Sequence, residues 1–90
     1  MNTNLFLAED DVEDMAFFTD IILDISPDIK ISVANNGIQL MGFLENAKQL
    51  PDLIFLDLNM PLKNGYEALI EIRNTPKLKG IPMTAINILN

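Results

Sequence analysis

Ninety residues hold one hydrophobic core and no second domain, and 49% hydrophobic with 21% charged residues is the make-up of a folded chain, not of a disordered acidic tail. Six basic side chains against thirteen carboxylates give a net charge of −7, which repels phosphate backbones and anionic lipid and argues against a direct nucleic-acid or membrane partner. With neither cysteine nor histidine, disulfides, thiolate or imidazole metal sites and imidazole-activated nucleophiles are excluded, so any metal must be bound by oxygen.

The N-terminus has neither the basic region nor the apolar stretch of a signal peptide, and no apolar run approaches a membrane span, so the expected compartment is the cytoplasm. Leu5-Phe6-Leu7-Ala8 is short, continuously apolar and stopped abruptly by acids, the pattern of a strand buried on both faces. Glu9, Asp10, Asp11, Glu13 and Asp14 follow within six positions and carry most of the net acidity. From Glu13 to Ser26, the residues Met15, Phe18, Ile21, Ile22 and Ile25 recur at helical spacing, with Asp20 and Asp24 opposite and Pro27 just beyond, which predicts an amphipathic helix. Ile29 to Ala34 alternates with period two and runs into Asn35-Asn36-Gly37, an edge strand followed by a turn. Leu40, Phe43, Leu44 and Ala47 predict a second helix over Ile38 to Leu50, ended by Pro51. Leu53-Ile54-Phe55-Leu56 repeats the design of the first strand and is broken by Asp57. After loop residues Met60 to Gly65, the residues Tyr66, Leu69, Ile70 and Arg73 mark a third helix closing near Asn74-Thr75-Pro76, and Ile81 to Leu89 is the last strand. Tyr66 and the phenylalanines read as core or helix packing, because no basic residues interleave with them as on a base-stacking surface.

Strands alternating with helices over short connections imply a parallel sheet with helices on its faces. Ligands of such sheets gather beyond the carboxyl ends of the strands, and Glu9, Asp10 and Asp57 all fall at that edge. If the two acid-ended strands are neighbours, the three carboxylates converge, and like charges about 4 Å apart repel by roughly 4 kcal/mol at an effective dielectric of about 20. A divalent cation resolves that repulsion. Oxygen ligands without nitrogen or sulfur select magnesium, or manganese in its place, and such an ion is commonly shared with a phosphoryl group, so the chemistry implied is phosphoryl transfer. The dipole at a helix N-terminus is sufficient to explain Glu13 and Asp14. An EF-hand loop is ruled out, since alternate positions from Asp10 read Asp, Val, Asp and the required glycine is missing.

Leu5-Phe6-Leu7-Ala8-Glu9-Asp10-Asp11, then Leu53 to Pro61 with Asp57-Leu58-Asn59-Met60-Pro61, then Asn64-Gly65, resemble the receiver domain of two-component response regulators, over a stretch running to Pro82. The resemblance implies a flavodoxin-like, doubly wound α/β sheet. It further implies that the acid pair ending the first strand, here Glu9 and Asp10, holds magnesium. The aspartate ending the third strand, here Asp57, would be both phosphoacceptor and metal ligand, and Asn59, two residues on, would offer its backbone carbonyl to the metal. Asp11 would stand just outside the metal site or at the start of the helix. The phosphoryl donor would be a phosphohistidine on a sensor histidine kinase or phosphotransfer protein. The chain would then be a signalling phosphoacceptor and not an enzyme, at most catalysing its own phosphorylation and dephosphorylation.

The family pattern continues through a fourth helix, a fifth strand and a fifth helix, with a hydroxyl ending the fourth strand and a lysine ending the fifth. Against it, residues 1–90 read as a single incomplete receiver-like domain with about four strands and three helices of the usual five and five. The usual register puts Asn87 where the hydroxyl belongs, and Thr84 replaces it only if the strand has lost about three residues. The lysine has no counterpart, since Lys77 and Lys79 precede the last strand; Lys63 in the loop after Asp57 is within reach of a phosphoryl group there but reads rather as a solvated loop lysine. An exposed apolar edge over residues 81 to 90 leads to an expected homodimer or larger assembly through that segment. Two other functions stay open. One is a receiver-like interaction module that never takes up phosphate. The other is a fragment of a haloacid-dehalogenase-type phosphatase, which also uses a strand-end aspartate with magnesium but wants a second aspartate where Asn59 stands.

Overall fold

A computed structural model of the chain describes residues 3–60 and 62–86. Its elements are β1 (Asn4–Ala8), α1 (Val12–Ile25), β2 (Lys30–Ala34), α2 (Gly37–Asn46), β3 (Leu53–Asp57), α3 (Gly65–Arg73) and β4 (Met83–Ile86). The strands pair in parallel in the order β2-β1-β3-β4, so β2 is an edge as its alternation requires, and the winding reverses at β1. In an open parallel sheet that reversal leaves a crevice beyond the ends of β1 and β3. The register sets Ala8 beside Leu56, which brings Glu9 and Asp57 to the same level at the carboxyl edge.

β1 is buried from Leu5 to Ala8 because it is central and covered on both faces. Phe6 and Ala8 point to one side, where Ala34, Ile54 and Leu56 join them under Leu40, Met41 and Leu44 of α2 and Ala68 and Ile72 of α3. Leu5 and Leu7 alternate to the other face and are also wholly shielded. That second face is otherwise thinly covered. None of the residues of α1 is buried, and Ile21 and Ile25 of its expected apolar stripe are 41% and 77% exposed. Among the described residues α2 and α3 both pack on the opposite face, so α1 lies on the sheet without a helical neighbour, and of its apolar residues only Met15, Phe18 and Ile22 are partly covered.

Several elements depart from the sequence-based expectation. α2 stops at Asn46 and not at Leu50, because Ala47 turns extended (ψ 126°) and lets Leu50 pack against the core ahead of the buried Pro51. α3 buries Gly65, Ala68 and Ile72, while Tyr66 and Ile70 face solvent, 56% and 60% exposed. The small side chain of Ala68 admits the helix closely to the sheet, so the buried stripe runs along it and not along the larger residues. Core packing therefore fails for Tyr66 and for Phe17, whereas Phe6 and Phe43 meet edge-on with ring centroids 6.0 Å apart. β4 starts at Met83, two residues after the predicted start. Ile81 instead is buried at the end of a surface connection in which Arg73 Nη1 donates to the carbonyls of Lys79 (2.6 Å) and Ile81 (3.1 Å). The expected continuation through residues 87–89 lies outside the described residues.

Candidate functional site

The carboxyl ends of β1 and β3 deliver three acids to one place. Glu9 and Asp57 are 2% and 5% exposed, Asp10 faces solvent, and one carboxylate oxygen from each lies within 4.8 Å of the others. Backbone hydrogen bonds set the arrangement. The Glu9 N–H donates to Ala34 O (2.9 Å), which holds the end of β1 against β2. The N–H of Asn59 donates to Asp57 Oδ1 (2.9 Å), and the N–H of Asp11 donates to Glu9 Oε2 (3.2 Å). Asp11 is the N-cap of α1, its side chain accepting from the Asp14 N–H (2.9 Å), so it starts the helix and stands outside the cluster.

Burial, followed by its contact with Asp57, pushes the Glu9 carboxyl up from the usual carboxylate range to about 8. Its Oε1 is buried and has no hydrogen-bond donor. A buried carboxylate oxygen that lacks a donor and faces two further carboxylates fits a hard divalent cation, which answers the charge and the empty acceptor together. The residues present thus suit such an ion, with Glu9, Asp10 and Asp57 as the side chains able to hold it.

The loop from β3 to α3 is fixed by two glycines. Gly65 N–H donates to Leu58 O (3.3 Å), and a Cβ there would stand 2.2 Å from Asp57 O and 2.5 Å from Leu58 Cα, so only glycine lets α3 begin against the Asp57 peptide. Asn64 caps that helix in a reciprocal box with Glu67. Gly37 N–H donates to Lys63 O (2.9 Å), and its missing Cβ would fall 2.1 Å from that oxygen, which docks the start of α2 on the same loop. The Asn35-Asn36-Gly37 turn is therefore also a junction, with Asn36 capping α2. Nothing local in the sequence signals this, because the partner carbonyl is remote in the chain. Lys63 is not the solvated side chain expected; it is ion-paired with Glu71 of α3.

The strand register disposes of the Thr84 alternative. Asp57 pairs with Ile86 and Phe55 with Thr84, so Thr84 stands two positions short of Asp57, about 6.6 Å along the strand. Asn87 lies outside the described residues.

A family model described as the response regulator receiver domain matches residues 5–88. Response regulator Rcp1 of Synechocystis is 32% identical over 87 residues, 91% of this chain and 59% of that protein. The transcriptional regulatory protein CpxR of Klebsiella pneumoniae is 33% identical over 82 residues, 91% of this chain and 34% of that protein. The chain thus spans little more than half of the first of these relatives and a third of the second. Among solved structures, the phosphorylated cyanobacterial phytochrome response regulator RcpA superimposes with a TM-score of 0.91 at 30% identity, covering 100% of this chain and 69% of that one. The manganese-bound form of Rcp1 gives 0.89 at 30% identity, covering 98% and 67%.

Proposed function

Because the chain belongs to the response regulator receiver domain family, we propose that it is a phosphoacceptor of a two-component phosphorelay, with Asp57 taking its phosphoryl group from a phosphohistidine on a sensor histidine kinase or phosphotransfer protein. The observation that carries this reading is the setting of Asp57: at a strand end, 5% exposed, oriented by the Asn59 N–H at 2.9 Å, and within 4.8 Å, oxygen to oxygen, of Glu9 and Asp10. In the transfer, an Asp57 oxygen bonds to phosphorus as the bond from phosphorus to the histidine nitrogen breaks. The nitrogen keeps the electron pair and Asp57 becomes an acyl phosphate. The Asn59 N–H holds the carboxylate in place, the buried Glu9 keeps water from one side of it, and the exposed Asp10 faces the side from which a donor arrives. Magnesium, or manganese, held by Glu9, Asp10, Asp57 and the Asn59 carbonyl, would supply neutralising charge for the phosphoryl oxygens.

The test is incubation with acetyl phosphate and magnesium followed by intact-mass spectrometry. One added phosphoryl group is expected on the wild type and none on Asp57→Asn, which keeps the shape and removes the nucleophile. Modification persisting in Asp57→Asn would put the acceptor elsewhere, and an unmodified wild type would favour the interaction module that never takes up phosphate. The phosphatase alternative has lost its support: the family is that of receivers, and Asn59 stands where its second acid would be. None of the described helices is long and apolar enough to cross a membrane. The cytoplasm as compartment, and self-association through residues 81 to 90, belong to the same proposal.

A further inference from the structure

The sequence holds two Asn-Gly pairs, Asn36-Gly37 and Asn64-Gly65, and each straddles the start of a helix. Such a pair carries its own chemistry. The backbone nitrogen of the glycine can attack Cγ of the asparagine, because a residue without a Cβ puts no side chain in the way of a five-membered ring. The bond from the glycine nitrogen to Cγ forms, the Cγ–Nδ2 bond breaks, and ammonia leaves with the proton that the glycine N–H gives up. Water then opens the cyclic imide at one of its two carbonyls. Cleavage at Cγ leaves an aspartate, and cleavage at the backbone carbonyl leaves an isoaspartate, through whose side chain the backbone then runs.

The fold holds both pairs against that reaction, but unequally. At each asparagine ψ is 172°, and closing the ring turns that bond until the glycine nitrogen nearly eclipses the asparagine Cβ. Each side-chain oxygen is also committed to its helix, Asn36 Oδ1 accepting from the Gln39 N–H (2.8 Å) and Asn64 Oδ1 from the Glu67 N–H (3.0 Å). The glycine N–H must be freed as well. That of Gly37 donates to Lys63 O at 2.9 Å, in the middle of the usual range, whereas that of Gly65 donates to Leu58 O at 3.3 Å, beyond it. The chain leading in differs too. Asn36 follows β2 by two residues, and the N–H of Asn35 is fixed on Gln39 Oε1 (2.6 Å). Asn64 follows Leu62, a non-glycine residue in the left-handed region (φ 62°), whose strain is relieved when the loop lets go.

We propose that Asn64 is a self-modification site, deamidating in the native protein, and that Asn36 is its protected counterpart. The rate at each site is that of the unfolded pair multiplied by the fraction of time the glycine N–H is released, and the longer bond and strained loop give Gly65 the larger fraction. The two products act differently. An aspartate at position 64 still caps α3 and adds a negative charge where the helix dipole favours one. An isoaspartate lengthens the backbone by one carbon where a Cβ on Gly65 would already stand 2.2 Å from Asp57 O, so it moves the start of α3 off the Asp57 peptide.

The full chain is held in mildly alkaline buffer, folded and in parallel in concentrated urea, and each site is followed by peptide mapping that separates asparagine, aspartate and isoaspartate. Dividing each native rate by the same site's rate in urea removes the intrinsic difference between the two sequences. Both quotients should fall below unity, with that of Asn64 larger than that of Asn36 by about tenfold. Asn64→Asp keeps the cap and lacks the leaving amide, so it should lose the native mass gain of NH2 replaced by OH. Chains carrying isoaspartate at position 64 should unfold at lower urea than the wild type. A quotient for Asn36 equal to or above that for Asn64 would overturn the assignment. So would an Asn64 that stays intact in the folded chain while the unfolded chain converts completely, a native mass gain undiminished in Asn64→Asp, or an unchanged midpoint for the isoaspartate chain.

Discussion

In the unfolded chain the Glu9 carboxyl ionises near its ordinary value of 4.5, and in the fold it does so at about 8. Between those values the native state keeps a proton that the unfolded state has released, so metal-free protein loses stability as pH rises through the window, by up to about 1.4 kcal/mol per pH unit. Below the window both states hold the proton, and above it neither does and the loss is complete. Melts in EDTA should therefore show a midpoint that falls between pH values of about 5 and 8, and Glu9→Gln should flatten that slope. Magnesium acts in the reverse sense, because a protonated Glu9 is a poor ligand. Its stabilisation should grow with pH over the same window, reaching about 1.4 kcal/mol at ten times the dissociation constant. A wild-type midpoint at the alkaline end that ignores saturating magnesium would remove the metal site. At this scale the convergence of Glu9, Asp10 and Asp57 was legible in the sequence, since the Glu9-Asp10 pair and Asp57 each stop a short apolar run. The N–H groups of Asn59 and Asp11 were not, because the direction in which a backbone amide points is set by the turn and not by the side chain it belongs to.

At the scale of elements, the junction between α2, α3 and the Asp57 loop rests on missing Cβ atoms. Ala at position 37 would press on the Lys63 carbonyl and Ala at position 65 on the Asp57 backbone, so Gly37→Ala and Gly65→Ala should each destabilise by about 1–3 kcal/mol. Gly42→Ala, in the same helix as Gly37 but with open space around it, should instead stabilise by about 0.5–1 kcal/mol through helix preference. Urea midpoints of the three variants check the contrast, and equal effects for Gly37→Ala and Gly42→Ala would show that close approach does not hold α2 in place. The existence and order of the elements were readable because apolar runs and helical spacing are local signals. Which face of α3 is buried was not, since Tyr66 and Ile70 satisfy the same periodicity as Ala68 and Ile72 and only the closeness of the sheet decides between them. α2 was overextended for a related reason: Ala47 and Leu50 continue the apolar spacing, yet they pack against the core from an extended connection.

At the scale of the whole molecule, the two faces are covered unequally, and the one under α1 is the open one. The side under α2 and α3 carries the main core cluster, whereas α1 leaves Phe17 (62%), Ile25 (77%) and Val12 (72%) exposed, and β4 is an edge strand among the described residues. Exposed apolar surface on α1 and, at the other end of the sheet, the edge of β4 each favour self-association, while a charge of −7 on each copy opposes it. The two effects separate with salt: light scattering on a sizing column should show a mass above the monomer at micromolar concentration, rising as sodium chloride screens the repulsion. A monomer at every ionic strength with a sharp thermal transition would show that the open face tolerates water. The strand pairings have a further consequence, for the speed of folding. Asn4 pairs with Lys30, Leu5 with Leu53 and Ile54 with Met83, so no strand finds a partner in a hairpin, and every ladder must close a long loop before its first hydrogen bond forms. Such a topology pays its entropy first and folds in milliseconds or slower. Since β1 and β3 form the central ladder, Ile54→Val should slow refolding in stopped-flow measurements, whereas Ile25→Ala on the uncovered helix should leave that rate unchanged. That outcome would make the pair of strands whose ends carry Glu9 and Asp57 the nucleus of the fold, and the chain would then assemble its acidic site in the same step that commits it to its native shape.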